Sequence, residues 1–140
     1  MPYRESTMSW LSARAACKEL DPSADLASST SVSENSFLSS LDDSSTCTNF
    51  MWLGGTNAHT EEGEWTWSDG SPFIFENWQS GEGDDGPLED CLGLYTGTCG
   101  DLGTWHDDPC YKHKWFICEK IIGTLLKLRS LKLFLKIVTM

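Results

Sequence analysis

Apolar positions recur at helical spacing in only two early stretches of the 140-residue chain, and after Asn49 that period disappears. In "SWLSARAACKEL" the residues Trp10, Ala13, Ala16, Cys17 and Leu20 fall on one helical face. Ser9 stands ahead of them as an N-cap, because a serine oxygen can accept one of the backbone N–H groups that a helix start leaves without a partner. The spacing predicts a first short helix with Cys17 facing inward. After the turn-rich "DPSAD", the stretch "STSVSENSFLSSLDD" sets Ser31 three residues before Glu34, a capping box, with Phe37, Leu38 and Leu41 as its apolar face. That predicts a second helix. From Asn49 onward, "FMWLGG", "EWTWSDG", "CLGLY", "TWHD" and "KWFICEK" are short aromatic-rich runs separated by Gly, Asp, Asn and Pro, and they read as strands. Two helices followed by several strands predict an α+β class. Asp69 and Gly70 in "WSDG" mark a turn. A long Gly-rich loop lies between "FENW" and "CLGLY", and long loops inside compact domains usually carry function.

Composition makes this one folded domain, since 39% of residues are hydrophobic and seven are tryptophan, enough for a core. Charge is distributed unevenly. The formal net charge is −11, no Lys or Arg occurs between Lys18 and Lys112, and thirteen acidic residues fall from Glu61 to Asp108. The run "GEGDDGPLEDC", residues 81 to 91, holds five of them. Such a surface argues against nucleic acid and anionic membranes as partners. It suits a hard cation, because carboxylate oxygens are the ligands that Ca²⁺ prefers and the ion offsets their repulsion. The plainer alternative is a solvated acidic face.

Six cysteines, none in a CxxC pair or at zinc-like Cys/His spacing, point to disulfides and an oxidising compartment. Residues 1–20 show no apolar core between a basic start and a small-residue cleavage site, so no signal peptide is visible in them.

Eight ordered motifs, "SWLSARAAC", "DLASSTSVSENSFL", "MWLGG", "EGEWTWSDGSP", "NW", "EDC", "WHDDPC" and "WFICEK", carry a resemblance to the C-type lectin domain over about residues 3–120. The resemblance implies the C-type lectin fold: two helices flanking small antiparallel sheets, and a long loop that presents Ca²⁺. It implies bridges Cys17–Cys118 and Cys91–Cys110. In that fold "MWLGG" runs toward the long loop and "CLGLY" returns from it, so Cys47 and Cys99 sit at one end and are expected to form a third bridge. Trp65, Trp67, Trp78 and Trp105 are expected to fill the core beneath the loop.

The family's ion and sugar site maps onto Glu82, Asp84, Glu89, His106 and Asp107, with Glu82, Asp84, Glu89 and Asp107 also bonding sugar hydroxyls. A second ion site maps onto Asn57, Glu61, Asp85, Glu89 and Asp90. Two positions depart from the family pattern. Gly83 replaces a proline whose cis bond aims its neighbours, and a cis bond before glycine would cost about 2.5–4 kcal/mol. His106 replaces an asparagine, offering nitrogen where Ca²⁺ takes oxygen, unless the ring points away and water fills the position. Ligands implied are carbohydrate or glycoprotein, with Glu82 alone leaning toward mannose, glucose or fucose-type sugars over galactose. The resemblance implies a secreted or extracellular module of the kind used in innate immunity. Catalysis by a carboxylate pair such as Glu82 and Glu89 needs one acid buried among apolar groups, which a Gly/Asp-rich loop does not offer, so no enzyme is expected. The alternative is a lectin-like domain with a degenerate sugar site that binds a protein, mineral or ice surface.

Residues 121–140, "IIGTLLKLRSLKLFLKIVTM", carry four basic residues, no acid and no cysteine, and lie beyond the expected 1–120 domain. Four charges in twenty positions argue against a membrane span. On a helical wheel Arg129, Lys132 and Lys136 share a face, which suggests an interfacial helix, although Lys127 lands among leucines. The abrupt start, lacking the strand that precedes this segment in the family, and the tail are together expected to reflect an imperfect gene model or alternative exon rather than a purposeful tail.

Overall fold

A computed structural model of the chain describes residues 7–41, 49–58, 60, 63–80, 90–96 and 102–121, with the backbone of 126–131 and 134–139. Helix α1 (Trp10–Leu20) begins where the Ser9 side-chain oxygen accepts from the Ser12 N–H. It buries Trp10, Ala13 and Cys17, while Leu20, in its last turn, is exposed. The Trp10 indole N–H donates to the Leu53 carbonyl at 2.8 Å, so the helix is tied to the sheet by a buried hydrogen bond as well as by contact. The "DPSAD" turn leads straight into a short strand, β1 (Ala24–Leu26), which its turn residues hid from sequence reading. Helix α2 (Val32–Ser39) starts at Ser31, whose oxygen accepts from the Glu34 N–H at 3.1 Å. The Glu34 carboxylate reaches back past the cap to the Thr30 N–H at 2.7 Å. The buried face holds Leu38 with Glu34, Asn35 and Ser39, and Phe37 is only partly covered.

The strands that follow are β2 (Asn49–Thr56), β3 (Thr66–Trp67), β4 (Asp90–Thr96), β5 (Trp105–Pro109), β6 (Trp115–Ile121), β7 (Leu126–Leu131) and β8 (Phe134–Thr139). Their order is β5-β4-β2-β6-β7-β8, with β3 beside β2 and β1 beside β6. Alternation along the strands supplies a core on each face. One core joins Leu38, Met51, Leu53, Trp67, Leu92, Leu94, Trp105 and Ile117, with Trp65 and Trp78 packed against it. The other joins Trp10, Ala13, Leu26 and Trp52 to Cys17, Cys91 and Cys118. Each buried aliphatic side chain contributes roughly 1.5–3 kcal/mol. The bridges Cys17–Cys118 and Cys91–Cys110 are both formed, as expected. The antiparallel β2–β4 register sets Asn49 against Thr96. Cys47 and Cys99, just beyond those residues, lie outside the described part.

The tail corrects an expectation. Its two strands pair antiparallel, β7 on β6 and β8 on β7, where a helical face had suggested an interfacial helix. The Leu-Lys-Leu-Arg alternation of 126–129 has the period of a strand, and the edge of β6 supplies backbone partners. Which edge it uses follows from hydrogen-bond alternation. Lys114 exchanges two 3.0 Å bonds with Met8, whereas the Ile117 carbonyl accepts from the Ala27 N–H on the opposite side. Even-numbered residues of β6 therefore face Met8 and odd ones face β2 and β1, so β7 continues along the edge that Met8 begins.

Candidate functional site

The described ends of the acidic loop are Ser80, next to Gln79, which bonds to β5, and Asp90, the first residue of β4. Before the loop departs, the chain runs beside β5: the Gln79 N–H donates to the Trp105 carbonyl at 2.8 Å, and the Trp105 N–H donates to the Asn77 carbonyl at 2.9 Å. The Asn77 and Asn35 amides both donate to the Gly103 carbonyl at 2.7 Å, and Asn35 Oδ1 accepts from the Trp105 indole at 2.8 Å. Gly103 has φ of 87°, a left-handed turn that glycine adopts without strain. Asn35 was not singled out in the sequence. Its signal was its place three residues before Leu38, on the buried side of α2.

At the returning end, Asn57 Oδ1 accepts from the Asp90 N–H at 2.9 Å, and the Thr56 hydroxyl donates to the Asp90 carbonyl at 3.0 Å. Asp90 opposes Pro109 and Leu92 opposes Asp107 in the β4–β5 ladder. Asp90 and Asp107 therefore sit diagonally on the same sheet face, a spacing of about 7–8 Å between residues. Because the Trp105 backbone turns toward 77–79, the backbone of Asp107, two residues on, turns toward that same edge. The structure thus bonds Asn57 to Asp90 and sets Asp107 on the neighbouring strand, on the same sheet face as Asp90, where the loop returns.

It does not bring His106 with them. His106 opposes Gly93 and points to the other face of β5 from Asp107. Its ring stacks on Phe50 with centroids 4.2 Å apart and an interplanar angle of 16°, and it lies close to Tyr95. A methyl group at Gly93 would stand 2.7 Å from His106 Nε2, so the imidazole occupies space that only a glycine leaves open. Nε2 is buried without a hydrogen-bond partner among the described residues. Burial, and then the Lys114 ammonium, push the His106 pKa down to about 4, so the ring is neutral at physiological pH. Lys114 sits over the Phe50 and Trp52 rings and pairs with Asp108 at 2.9 Å, on the same face as His106.

Glu61, Glu82, Asp84, Asp85 and Glu89 lie outside the described residues. Among the described residues no three His, Cys, Asp or Glu side chains converge as a metal would require. Among the described residues, the expected ligands at the loop edge, Asn57, Asp90 and Asp107, offer oxygens, and His106 is turned away. That donor set fits a hard cation better than zinc or nickel.

The family model for the lectin C-type domain matches residues 6–120. The chain is 35% identical over 118 residues to C-type lectin domain family 17, member A, of Homo sapiens, covering 84% of this chain and 28% of that protein. It is 35% identical over 115 residues to lectin BRA-3 of Megabalanus rosa, covering 81% of this chain and 67% of that one. Among solved structures it resembles the mouse scavenger receptor C-type lectin carbohydrate-recognition domain, with a TM-score of 0.69, 30% identity and 88% of each chain covered. It also resembles a calcium-independent type II antifreeze protein, with a TM-score of 0.67, 26% identity, and 81% and 78% of the two chains covered.

Proposed function

The chain belongs to the C-type lectin domain family, and from that premise we propose that it binds carbohydrate through a calcium ion held at the acidic loop. It is a binding module, as its family is, and not an enzyme. Glu82, Asp84, Glu89 and Asp107 would hold the ion, and Asn57, Glu61, Asp85, Glu89 and Asp90 would hold a second. A bound ion supplies coordination positions for two neighbouring sugar hydroxyls, and the same carboxylates accept hydrogen bonds from them. The observation that supports this reading is that the Asn57 amide oxygen holds the Asp90 backbone at the returning end of the loop, with Asp107 on the same face of the adjacent strand. With His106 packed inside the sheet, water takes the position it would have filled. The preference for mannose, glucose or fucose-type sugars rests on Glu82 alone. The disulfides and the nature of the relatives support an extracellular setting.

Isothermal titration of the oxidised protein with Ca²⁺ tests the proposal. The expected result is millimolar to submillimolar binding, lost in Glu89→Ala and in Asp107→Ala, followed by glycan binding that free monosaccharide competes and EDTA abolishes. No heat and no thermal stabilisation at about ten millimolar Ca²⁺ would refute it. A second reading, sugar-independent binding of a protein or other surface, is favoured by the loss of His106 from the site. A ligand held equally well in EDTA would establish it.

A further inference from the structure

The segment leading into the acidic loop is held to the sheet by few bonds. Among the described residues its backbone meets β5 at one parallel bridge, Trp78 beside Trp105, made by the Gln79 N–H on the Trp105 carbonyl and the Trp105 N–H on the Asn77 carbonyl. Ile74, Glu76 and Ser80 of the same segment are exposed. So short a bridge does not fix its own register: a slip of one residue moves the chain by about 3.3 Å and turns each side chain to the opposite face. Two neighbouring side chains oppose that slip in different ways. The Trp78 ring packs on Trp65 and Trp105, with centroids 4.8 and 5.4 Å away, and apolar packing has no direction of its own. Asn77 supplies the direction, since its amide N–H donates to the Gly103 carbonyl at 2.7 Å. Gly103 is itself a fixed point. Its N–H donates to the Tyr95 carbonyl in β4 at 2.9 Å, and its carbonyl also accepts from Asn35 of α2 at 2.7 Å.

We propose that Asn77 is a positioning residue for the calcium-dependent site: its amide, bonded to Gly103, locks residues 77–79 in register on β5 and so sets where the loop departs relative to Asp107. The inference rests on the calcium reading of the loop. Asp90 starts β4 and Asp107 lies on β5, so the returning end of the loop and Asp107 are both referred to the β4–β5 pair. Through Gly103, whose N–H is bonded to β4, Asn77 refers the departing end to the same pair. That matters more for an ion than for the fold. Ca²⁺ holds its oxygens at about 2.3–2.6 Å, a tolerance far narrower than a one-residue slip. The contacts of this segment with the core are made by Phe73, Phe75 and Trp78 rather than by Asn77. In this role Asn77 touches neither ion nor sugar; it acts through the backbone of Gln79 and Trp105.

Amide hydrogen exchange and calcium titration of the full oxidised chain test the role. Wild type is compared with Asn77→Ala, with Asn77→Leu, which keeps the size and loses the donor, and with Ala13→Gly, which weakens the fold from α1 in the other core. In EDTA the Gln79 and Trp105 N–H groups should lose protection in both Asn77 variants, while those of Leu92 and Leu94 keep theirs. Ca²⁺ affinity, read below the melting transition of every variant, should fall about tenfold in both Asn77 variants and stay at the wild-type value in Ala13→Gly. Tb³⁺ bound in place of Ca²⁺ and excited through tryptophan gives a further readout. Its emission lifetimes in H₂O and D₂O should report more bound water in the Asn77 variants, which a smaller folded fraction alone would not produce. Wild-type affinity or full Gln79 protection in both Asn77 variants, or an equal loss of affinity in Ala13→Gly, would overturn the positioning role alone. No calcium uptake by wild type would overturn the calcium reading, and this role with it.

Discussion

His106 gives a stability prediction whose size can be worked from its surroundings. The residue is 8% exposed, its ring stacked on Phe50, and its folded-state pKa lies near 4 because burial penalises the charged form. In the unfolded chain the same group titrates near 6.5. The folded pKa is depressed, so the unfolded state binds the proton first as pH falls. Stability is then complete above about pH 6.5 and declines down to about pH 4. Between pH 7 and pH 5 the loss from this one group is about 2 kcal/mol. Urea unfolding followed by tryptophan fluorescence, in EDTA so that no ion contributes, should show it as a midpoint lowered by about 1–2 M. His106→Asn removes the titrating group and keeps the carboxylate background, so its midpoint should change much less over the same interval. Equal losses in wild type and His106→Asn would refute the buried, neutral placement of the ring.

Two other substitutions probe the scaffold around the site. Gly93→Ala sets a methyl 2.7 Å from His106 Nε2 and should cost about 1–3 kcal/mol; combining it with His106→Ala should recover most of that, and simple additivity in the double-mutant cycle would contradict the contact. Asn35→Ala strips partners from the Trp105 indole, the Ser29 hydroxyl and the Gly103 carbonyl, a loss of about 2–5 kcal/mol, and an unchanged melting temperature would show that these bonds are not formed.

Local capping made the helices legible: Ser9 and Ser31 stand in the sequence as caps and act as caps in the fold. The order of motifs made the family and both described disulfides legible. The strand at Ala24–Leu26 was hidden because three residues carry no period, and its partner on β6 is more than ninety positions away. His106 was misleading for a related reason. Aligned by motif it stands where an ion ligand stands, but its direction is set by strand alternation and by the space over Gly93, neither of which a motif records. The tail was read by its helical wheel although its Leu-Lys alternation fits a strand equally well, and only the free edge of β6 decides between them. Asn57 and Asp90, read as ligands of a second ion, are joined by a bond from a backbone N–H to an amide oxygen.

β6 receives β1 and β2 on one side and Met8 and β7 on the other, and it holds half of the Cys17–Cys118 bridge. Every one of those partners except β7 is synthesised before it. At about 5–20 residues per second, β1 waits roughly 5–20 s on the ribosome for the strand it pairs with. During that wait Cys17 has no native partner, while Cys47, Cys91, Cys99 and Cys110 emerge in turn as competitors. The last native cysteine to appear is the one that α1 needs, so the chain should depend on disulfide exchange as it folds, and oxidation forced early should trap Cys17 in the wrong pair.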